Sequence, residues 1–137
     1  RYLKLPEKDW KVNELTLKDN YTKILICPHS TDPNRNLPIE KMNQIIFELQ
    51  NTNNQPEIVI ASMDKSYFRD DCQKFIFKKS DHSSKKFLKL MRESSLVVCS
   101  DSGPLHIALA LKKDLLAFMI STDPEIVINT GSCVIIQ

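Results

Sequence analysis

The stretch Leu96–His106 decides the fold of this chain, and it reads LVVCSDSGPLH. Its first four residues form a short apolar, partly β-branched run, which is typical of a buried strand. The Asp-Ser-Gly that follows predicts a turn, and Pro104 suits the first turn of a helix that continues from Ile107 to Leu111. Such a junction directs backbone N–H groups and the positive end of a helix dipole at one point. The sequence therefore predicts an anion site here.

Five further runs repeat this strand signal along the chain. They are Lys23–Pro28, Glu57–Ser62, Lys74–Phe77, Leu115–Ile120 and Cys133–Ile136. Four helical patterns alternate with these runs. The first starts at Pro38 and carries Met42, Ile45, Ile46 and Leu49, and a short second one follows from Asp64. The third is capped by Ser83 or Ser84 and carries Phe87, Leu88 and Met91, and the fourth spans 104–112. Because the runs are continuously apolar, both faces of the sheet should be covered. We predict an α/β fold, a Rossmann-like three-layer sandwich with a mainly parallel sheet and right-handed crossovers.

Length and charge limit the number of domains and the kinds of partner. The chain has 137 residues, of which 42% are hydrophobic and 26% charged, with a formal net charge of +2. This fits one globular domain at 23–137, and the charge is too small to indicate a nucleic-acid partner. Residues 1–22 are polar and weakly periodic, which predicts an extended entry segment or a linker. The chain begins at Arg1 without a signal-peptide pattern, so we expect a portion of a longer, cytoplasmic protein.

Cysteine and glycine usage excludes several kinds of site. The four cysteines, at 27, 72, 99 and 133, are widely spaced, and three of them lie in apolar runs. This favours core thiols in a reducing compartment, and no CxxC or His/Cys spacing suggests a metal site. The chain contains only two glycines. Neither a GxGxxG fingerprint nor a Walker loop can therefore be present.

Polar groups gather at the junction after the strand Leu96–Cys99. Asp101 ends the strand, Ser102 and Gly103 form the turn, and His106 follows Gly103 by three residues. Residues three apart share a helix face, so these groups can meet one ligand. The alternative is a helix N-cap in which Asp101 or Ser102 only satisfies backbone N–H groups.

Other loops at the predicted carboxyl edge of the sheet offer further candidates. Ser30 follows a strand, and Arg35 could neutralise a phosphate held at Gly103. The alternative for this loop is an Asp-Pro-Asn turn with a solvated Arg35. Thr122-Asp123-Pro124 is a third polar loop or a plain turn. His82 borders a base pocket or is simply exposed.

These residues, in this order, resemble glycosyltransferase family 9, the ADP-heptose:lipopolysaccharide heptosyltransferases, and in particular their carboxyl-terminal, donor-binding domain. The resemblance extends from about Lys23 to Pro124. It is sharpest at Ser100–Ala108 and at Ile120–Pro124. The hydroxyl-rich loop with a basic residue three positions before Pro38 is the third matching element.

The resemblance implies the donor-binding half of a GT-B enzyme built from two Rossmann-like domains. It implies diphosphate contacts for Ser30, Thr31, Arg35, Ser102, Gly103 and Pro104, a sugar contact for Asp101, and a place beside both for His106. It puts His82 beside the adenine and the segment from Ser62 to Asp64 near the ribose. The amino-terminal domain, which supplies the acceptor site and the general base in this family, is absent from this chain, so we expect no catalytic residue and no transfer by this chain alone.

The implied reaction is an inverting transfer of heptose from ADP-heptose to a lipopolysaccharide core or lipid A precursor acceptor, with no obligatory cofactor. Peripheral association with the cytoplasmic face of the inner membrane would follow. The chain departs from the family in having Arg35 where lysine is usual, Ile120-Ser121 where Gly-Pro is common, and its end at Gln137 before the final helix. The alternative is a standalone nucleotide-binding or regulatory module without transferase activity.

Overall fold

The computed structural model describes residues 2–5, 21–30, 32–51, 55–77, 83–100, 102–118 and 133–136. Within these ranges seven strands form one sheet. They are β1 Tyr2–Leu5, β2 Lys23–Cys27, β3 Glu57–Ser62, β4 Gln73–Ile76, β5 Leu96–Ser100, β6 Asp114–Phe118 and β7 Cys133–Ile136. Their order is β1-β7-β6-β5-β2-β3-β4, and every neighbouring pair is parallel. The predicted α/β class with a parallel sheet is confirmed.

Helices cover both faces of this sheet. They are α1 Ile39–Gln50, α2 Ser83–Glu93 and α3 Gly103–Ala110, with 3₁₀ turns at Pro33–Arg35 and Lys65–Tyr67. The apolar side of α1 packs with alternate residues of β2, β3, β5 and β6. The other residues of these strands pack against Phe87 and Met91 of α2 and Leu105 and Ala108 of α3. The three-layer prediction is therefore confirmed, and the strands are apolar throughout because both faces are covered.

Along the described part of the chain, no helix combines the length and the apolar character that crossing a membrane requires.

Several local predictions need correction. Tyr2–Leu5, within the stretch predicted as an extended entry segment or linker, pairs with β7 as an edge strand, because tertiary pairing supplies hydrogen bonds that its weak local pattern does not predict. Pro38 is the N-cap of α1 rather than a first-turn residue. Asp64 caps a 3₁₀ turn instead of opening an α-helix. Helix α2 begins at Ser83, and its capping residue lies outside the described residues.

The three cysteines whose side chains the structure describes behave as small apolar groups. Cys27, Cys72 and Cys99 are reduced and buried. Desolvation raises the pKa of the Cys27 thiol well above its usual range and raises that of Cys72 to about 11. Neutral thiols are therefore expected at physiological pH.

The strand order creates a crevice at the carboxyl ends of β2 and β5. From β2 the chain runs to β3 and β4 on one side, and β5, β6 and β7 then follow on the other side of β2. The loops after β2 and β5 consequently leave the sheet in opposite directions. In open parallel sheets this switch point is where ligands bind.

A polar cluster ties the loop before β4 to helix α1. Arg69 donates through Nε and Nη2 to the two carboxylate oxygens of Asp71, at 2.8 and 2.7 Å, and through Nη1 to Asn43 at 2.8 Å. Gln50 donates to Asp71 at 3.1 Å. The hydrogen bonds from Arg69 and then Gln50 hold the pKa of Asp71 well below its usual range. The ionised carboxylate is therefore the form that stabilises this cluster.

We expect Asp71→Asn to destabilise the chain at pH 7 and to destabilise it by a smaller amount at pH 3, where the carboxyl is still ionised in the folded chain but mostly protonated in the unfolded one. The lowered pKa means that the contribution is present above the unfolded carboxyl pKa of about 4 and is lost as pH falls through the folded value. Solvent limits it to about 1 kcal/mol, since both side chains are partly exposed. Urea unfolding at both pH values measures the effect, with the exposed neighbour Asp70→Asn as the control. An equal cost at both pH values would contradict this expectation.

Candidate functional site

A cavity of about 430 Å³ opens at the carboxyl ends of β2, β3 and β5, where the strand order predicts a crevice. Seven of the residues singled out from the sequence line it: Ser30, Arg35, Ser62, Ser102, Gly103, Pro104 and His106. They come from three separate loops and from the first turn of α3. The fold thus brings together side chains up to 76 positions apart in the sequence, from Ser30 to His106.

The junction between β5 and α3 forms one wall of the cavity. Ser102 is the N-cap of α3, yet its side chain makes no capping hydrogen bond; its Oγ donates instead to the carbonyl of Ser100 at 3.3 Å. Pro104 lies in the first turn and lacks an N–H. His106 is exposed and lines the cavity with Gly103, one turn apart on α3. The side chain of Ser102 therefore does not cap α3, and Asp101, the other capping candidate, lies outside the described residues.

The loop after β2 forms the facing wall and is held by its backbone. The N–H of Leu37 donates to the carbonyl of Pro28 at 2.8 Å, which closes the loop. The buried Ser30 donates its N–H to Asn36 Oδ1 at 2.7 Å, and its Oγ accepts from the N–H of Asp32 at 3.3 Å. The Pro33–Arg35 turn then presents Arg35 to the cavity. These hydrogen bonds hold the described part of the loop around a partly exposed cation.

Ser62 and Asp64 lie at the end of β3, and only Ser62 lines the cavity. Ser62 is buried, and its Oγ accepts from the N–H of Asp64 at 2.9 Å. Asp64 is exposed and accepts from the N–H and the hydroxyl of Ser66, at 2.9 and 2.8 Å. These two hydrogen bonds, with a smaller contribution from the charge of His29, lower the pKa of Asp64. Its carboxylate therefore caps the Lys65–Tyr67 turn.

Basic groups dominate the charge of the cavity. Its described lining includes the guanidinium of Arg35 and the imidazoles of His29 and His106, and no carboxylate. Asp32 pairs with Arg35 at 3.6 Å between Oδ2 and Nε, and both side chains are about 40% exposed, at 44% and 42% respectively. A helix N-terminus adds partial positive charge at Gly103. The arrangement suits an anion such as a phosphate.

Several lining residues were not predicted from the sequence. They are Cys27, His29, Ala61 and Phe77, whereas Met63 lies in the segment from Ser62 to Asp64 that the resemblance puts near the ribose. His29 stands two residues beyond the end of a buried strand, and this position is the signal that could have found it. Phe77 follows β4 and lies within an aromatic trio with Phe75 and Phe87. Met63, which is 56% exposed, and Phe77 give the cavity an apolar side.

A second, mainly apolar cavity of about 470 Å³ adjoins the first between α2 and α3. The two cavities share the lining residues Phe77, Gly103 and Pro104. The rest of the lining of the second cavity consists of Ser84, Phe87, Leu88 and Ile107.

Other predicted site residues lie outside the described ranges. They are Thr31, His82, Asp101 and the loop Thr122-Asp123-Pro124. Among the residues that the structure does describe, no three His, Cys, Asp or Glu side chains cluster closely enough to hold a metal ion.

The sequence and the fold were compared with those of known proteins. Residues 2–131 match glycosyltransferase family 9 (heptosyltransferase). The chain is similar to the solved E. coli ADP-heptose LPS heptosyltransferase II, with a TM-score of 0.66 and 17% identity over 94% of this chain and 42% of that one. It is also similar to E. coli heptosyltransferase WaaC with ADP, with a TM-score of 0.69 and 16% identity over 88% of this chain and 39% of that one.

A third similar structure is the iron-containing dodecameric glycosyltransferase TibC from enterotoxigenic E. coli. Its TM-score is 0.67, with 15% identity over 83% of this chain and 31% of that one. A comparison with curated protein sequences gave no match. This chain spans less than half the length of each of these three solved structures. At such identities the likeness to them shows the fold alone.

Proposed function

Because the chain belongs to glycosyltransferase family 9, the heptosyltransferases, we propose that it forms the donor-binding half of an enzyme that moves heptose from ADP-heptose to a lipopolysaccharide core acceptor. One observation carries the proposal: Arg35, Ser30 and the amino end of α3 converge on a single cavity at the switch point of the sheet. This is the chemistry that a diphosphate requires.

The cavity suggests how an ADP-sugar would lie. The diphosphate would sit between Arg35 and Gly103, where the cation and the helix end face each other. Ser62 would lie near the ribose, and the apolar side of Met63 and Phe77 would meet the adenine. His106 would stand beside the diphosphate and the sugar, with Asp101, Thr31 and His82 completing the donor contacts as the sequence predicts.

This half of the site would assist the departure of the nucleotide. When the bond between the sugar and the diphosphate breaks, negative charge grows on the phosphate oxygen that leaves. The guanidinium of Arg35 and the N–H groups of the first turn of α3 are fixed before the reaction and stabilise that charge where it develops. Their electrostatic effect would therefore be greater in the transition state than in the bound donor.

The acceptor side of the reaction belongs to the rest of the protein. We propose that an amino-terminal domain supplies the general base and the site for a lipopolysaccharide core or lipid A precursor. Transfer would need no obligatory cofactor. The enzyme would work at the cytoplasmic face of the inner membrane, where such an acceptor is anchored.

Calorimetric titration of the chain with ADP, UDP, GDP, CDP and adenosine tests the proposal. We expect ADP to bind most tightly, and adenosine to bind at least about tenfold more weakly, since it cannot make charge-assisted hydrogen bonds with Arg35. A shift in the unfolding midpoint with ADP provides a second measurement. No binding of any diphosphate, or equal binding of ADP and adenosine, would refute the proposed donor site.

A further inference from the structure

We propose that His29 is a further donor-contacting residue whose imidazolium shares the negative charge of the diphosphate with Arg35 and makes donor binding stronger at mildly acidic pH. The inference rests on the proposed function, because it assigns a role within the same cavity. His29 lies two residues beyond the end of β2, the strand at the switch point. Its half-buried side chain lines the cavity together with Arg35 and His106.

The backbone around His29 is fixed on both sides. Pro28 accepts the hydrogen bond from the N–H of Leu37 at 2.8 Å, and Ser30 donates its N–H to Asn36 Oδ1 at 2.7 Å. Both contacts belong to the same closed loop that carries Arg35. The backbone that carries the imidazole is therefore in place at the cavity before any ligand arrives, which reduces the entropy that a contact with the ligand costs.

The charged groups around His29 come from three elements. Hydrogen bonds from Ser66 are the main cause of the lowered pKa of Asp64, which follows β3. His29 lies close enough to Asp64 for its charge to lower that pKa further. Arg35 and its partner Asp32 lie in the same loop, and His106 approaches from α3. A bound diphosphate would add negative charge to the cavity and so favour the protonated ring.

Binding and protonation are therefore linked. An imidazole titrates near pH 6.5 in peptides, so small changes in its surroundings alter its charge between pH 5.5 and 8. If the donor prefers the protonated ring, donor affinity must rise as pH falls through this range. One partly solvated charge-assisted hydrogen bond corresponds to an affinity change of about fivefold.

The test uses ADP-ribose as the probe. Each of its two phosphates carries one ester bond and one anhydride bond, so the ligand keeps its charge between pH 5.5 and 8, whereas the terminal phosphate of ADP changes its charge in this range. Calorimetry measures the dissociation constant at both pH values for the unsubstituted chain, His29→Gln and His106→Gln. Glutamine keeps a hydrogen-bonding group but cannot carry the charge. Unfolding midpoints establish that both variants fold.

We expect the unsubstituted chain to bind ADP-ribose about fivefold more tightly at pH 5.5 than at pH 8. His29→Gln should lose most of that difference between the two pH values, while its affinity at pH 8 should stay close to that of the unsubstituted chain. His106→Gln should keep a pH dependence. If the dependence persists in His29→Gln or disappears only in His106→Gln, His29 does not have this role and the donor site still stands. If the unsubstituted chain does not bind ADP-ribose at either pH, the donor site falls together with the role of His29.

A second measurement needs no substitution. The ring signals of His29 in an NMR titration should shift on addition of ADP-ribose and should indicate a more protonated ring in the bound state at pH 6.5. Ring signals that stay in place while the ligand saturates the chain would overturn the proposal.

Discussion

Arg35→Ala should weaken ADP binding by roughly 10- to 100-fold, because a guanidinium that pairs with phosphate contributes about 1.5–3 kcal/mol. The fold should tolerate the change. The turn that carries Arg35 is closed by backbone hydrogen bonds, from Arg35 N to Asp32 O at 2.9 Å and from Asn36 N to Pro33 O at 3.2 Å. The ion pair with Asp32 is partly exposed and adds little to stability.

Two matched variants separate charge from geometry. Arg35→Lys keeps the charge but loses the planar fork of donors, so its affinity should lie between those of the unsubstituted chain and Arg35→Ala. Arg92→Ala removes the same charge at the exposed carboxyl end of α2, outside the cavity lining, and should bind ADP normally. Calorimetry gives all four affinities. Unchanged binding in both Arg35→Ala and His106→Ala would show that the diphosphate site is wrongly placed.

The elements that the sequence predicted well are those whose signal is local. The residues of β2, β3 and β5 are continuously apolar, and Met42, Ile45, Ile46 and Leu49 follow one helix face, so each segment carries its own pattern. Tyr2–Leu5 carries no such pattern. Its hydrogen bonds come from Cys133–Ile136, about 130 positions away in the sequence, and a pairing of that range cannot be read from neighbouring residues.

The same distinction explains what could be predicted of the site. Ser30, Arg35 and Gly103 could be brought together in advance, because they follow parallel strands whose carboxyl ends share an edge. Phe77 could not, since an apolar residue near a strand end usually joins the core, and only the tertiary arrangement places it at a cavity. Asp64 shows the reverse case: it follows the right strand, but its carboxylate is used to cap a turn.

Gly103 should be dispensable for folding. It is the first residue of α3, and a Cβ built on it meets no other described atom within 4 Å outside its own helix backbone and chain neighbours. Its φ does not lie in the left-handed region that favours glycine. Replacing glycine in a helix with a residue of higher helix propensity is neutral or stabilising by up to about 1 kcal/mol when the conformation permits it. The lack of a side chain therefore benefits the cavity rather than the fold.

We accordingly expect Gly103→Leu to fold normally and to lose ADP binding by roughly 100-fold or more. The added side chain would occupy the space in front of the amino end of α3 and would keep a phosphate out of hydrogen-bonding distance of the N–H groups there. Each charge-assisted hydrogen bond lost in this way reduces the binding free energy by about 1.5–3 kcal/mol. Gly103→Ala should lose less, and Ala110→Leu, at the exposed far end of α3, should bind normally. Tight ADP binding by a folded Gly103→Leu would mean that the diphosphate lies elsewhere. An unfolded Gly103→Leu beside a folded Ala110→Leu would mean that glycine serves the β5–α3 turn itself.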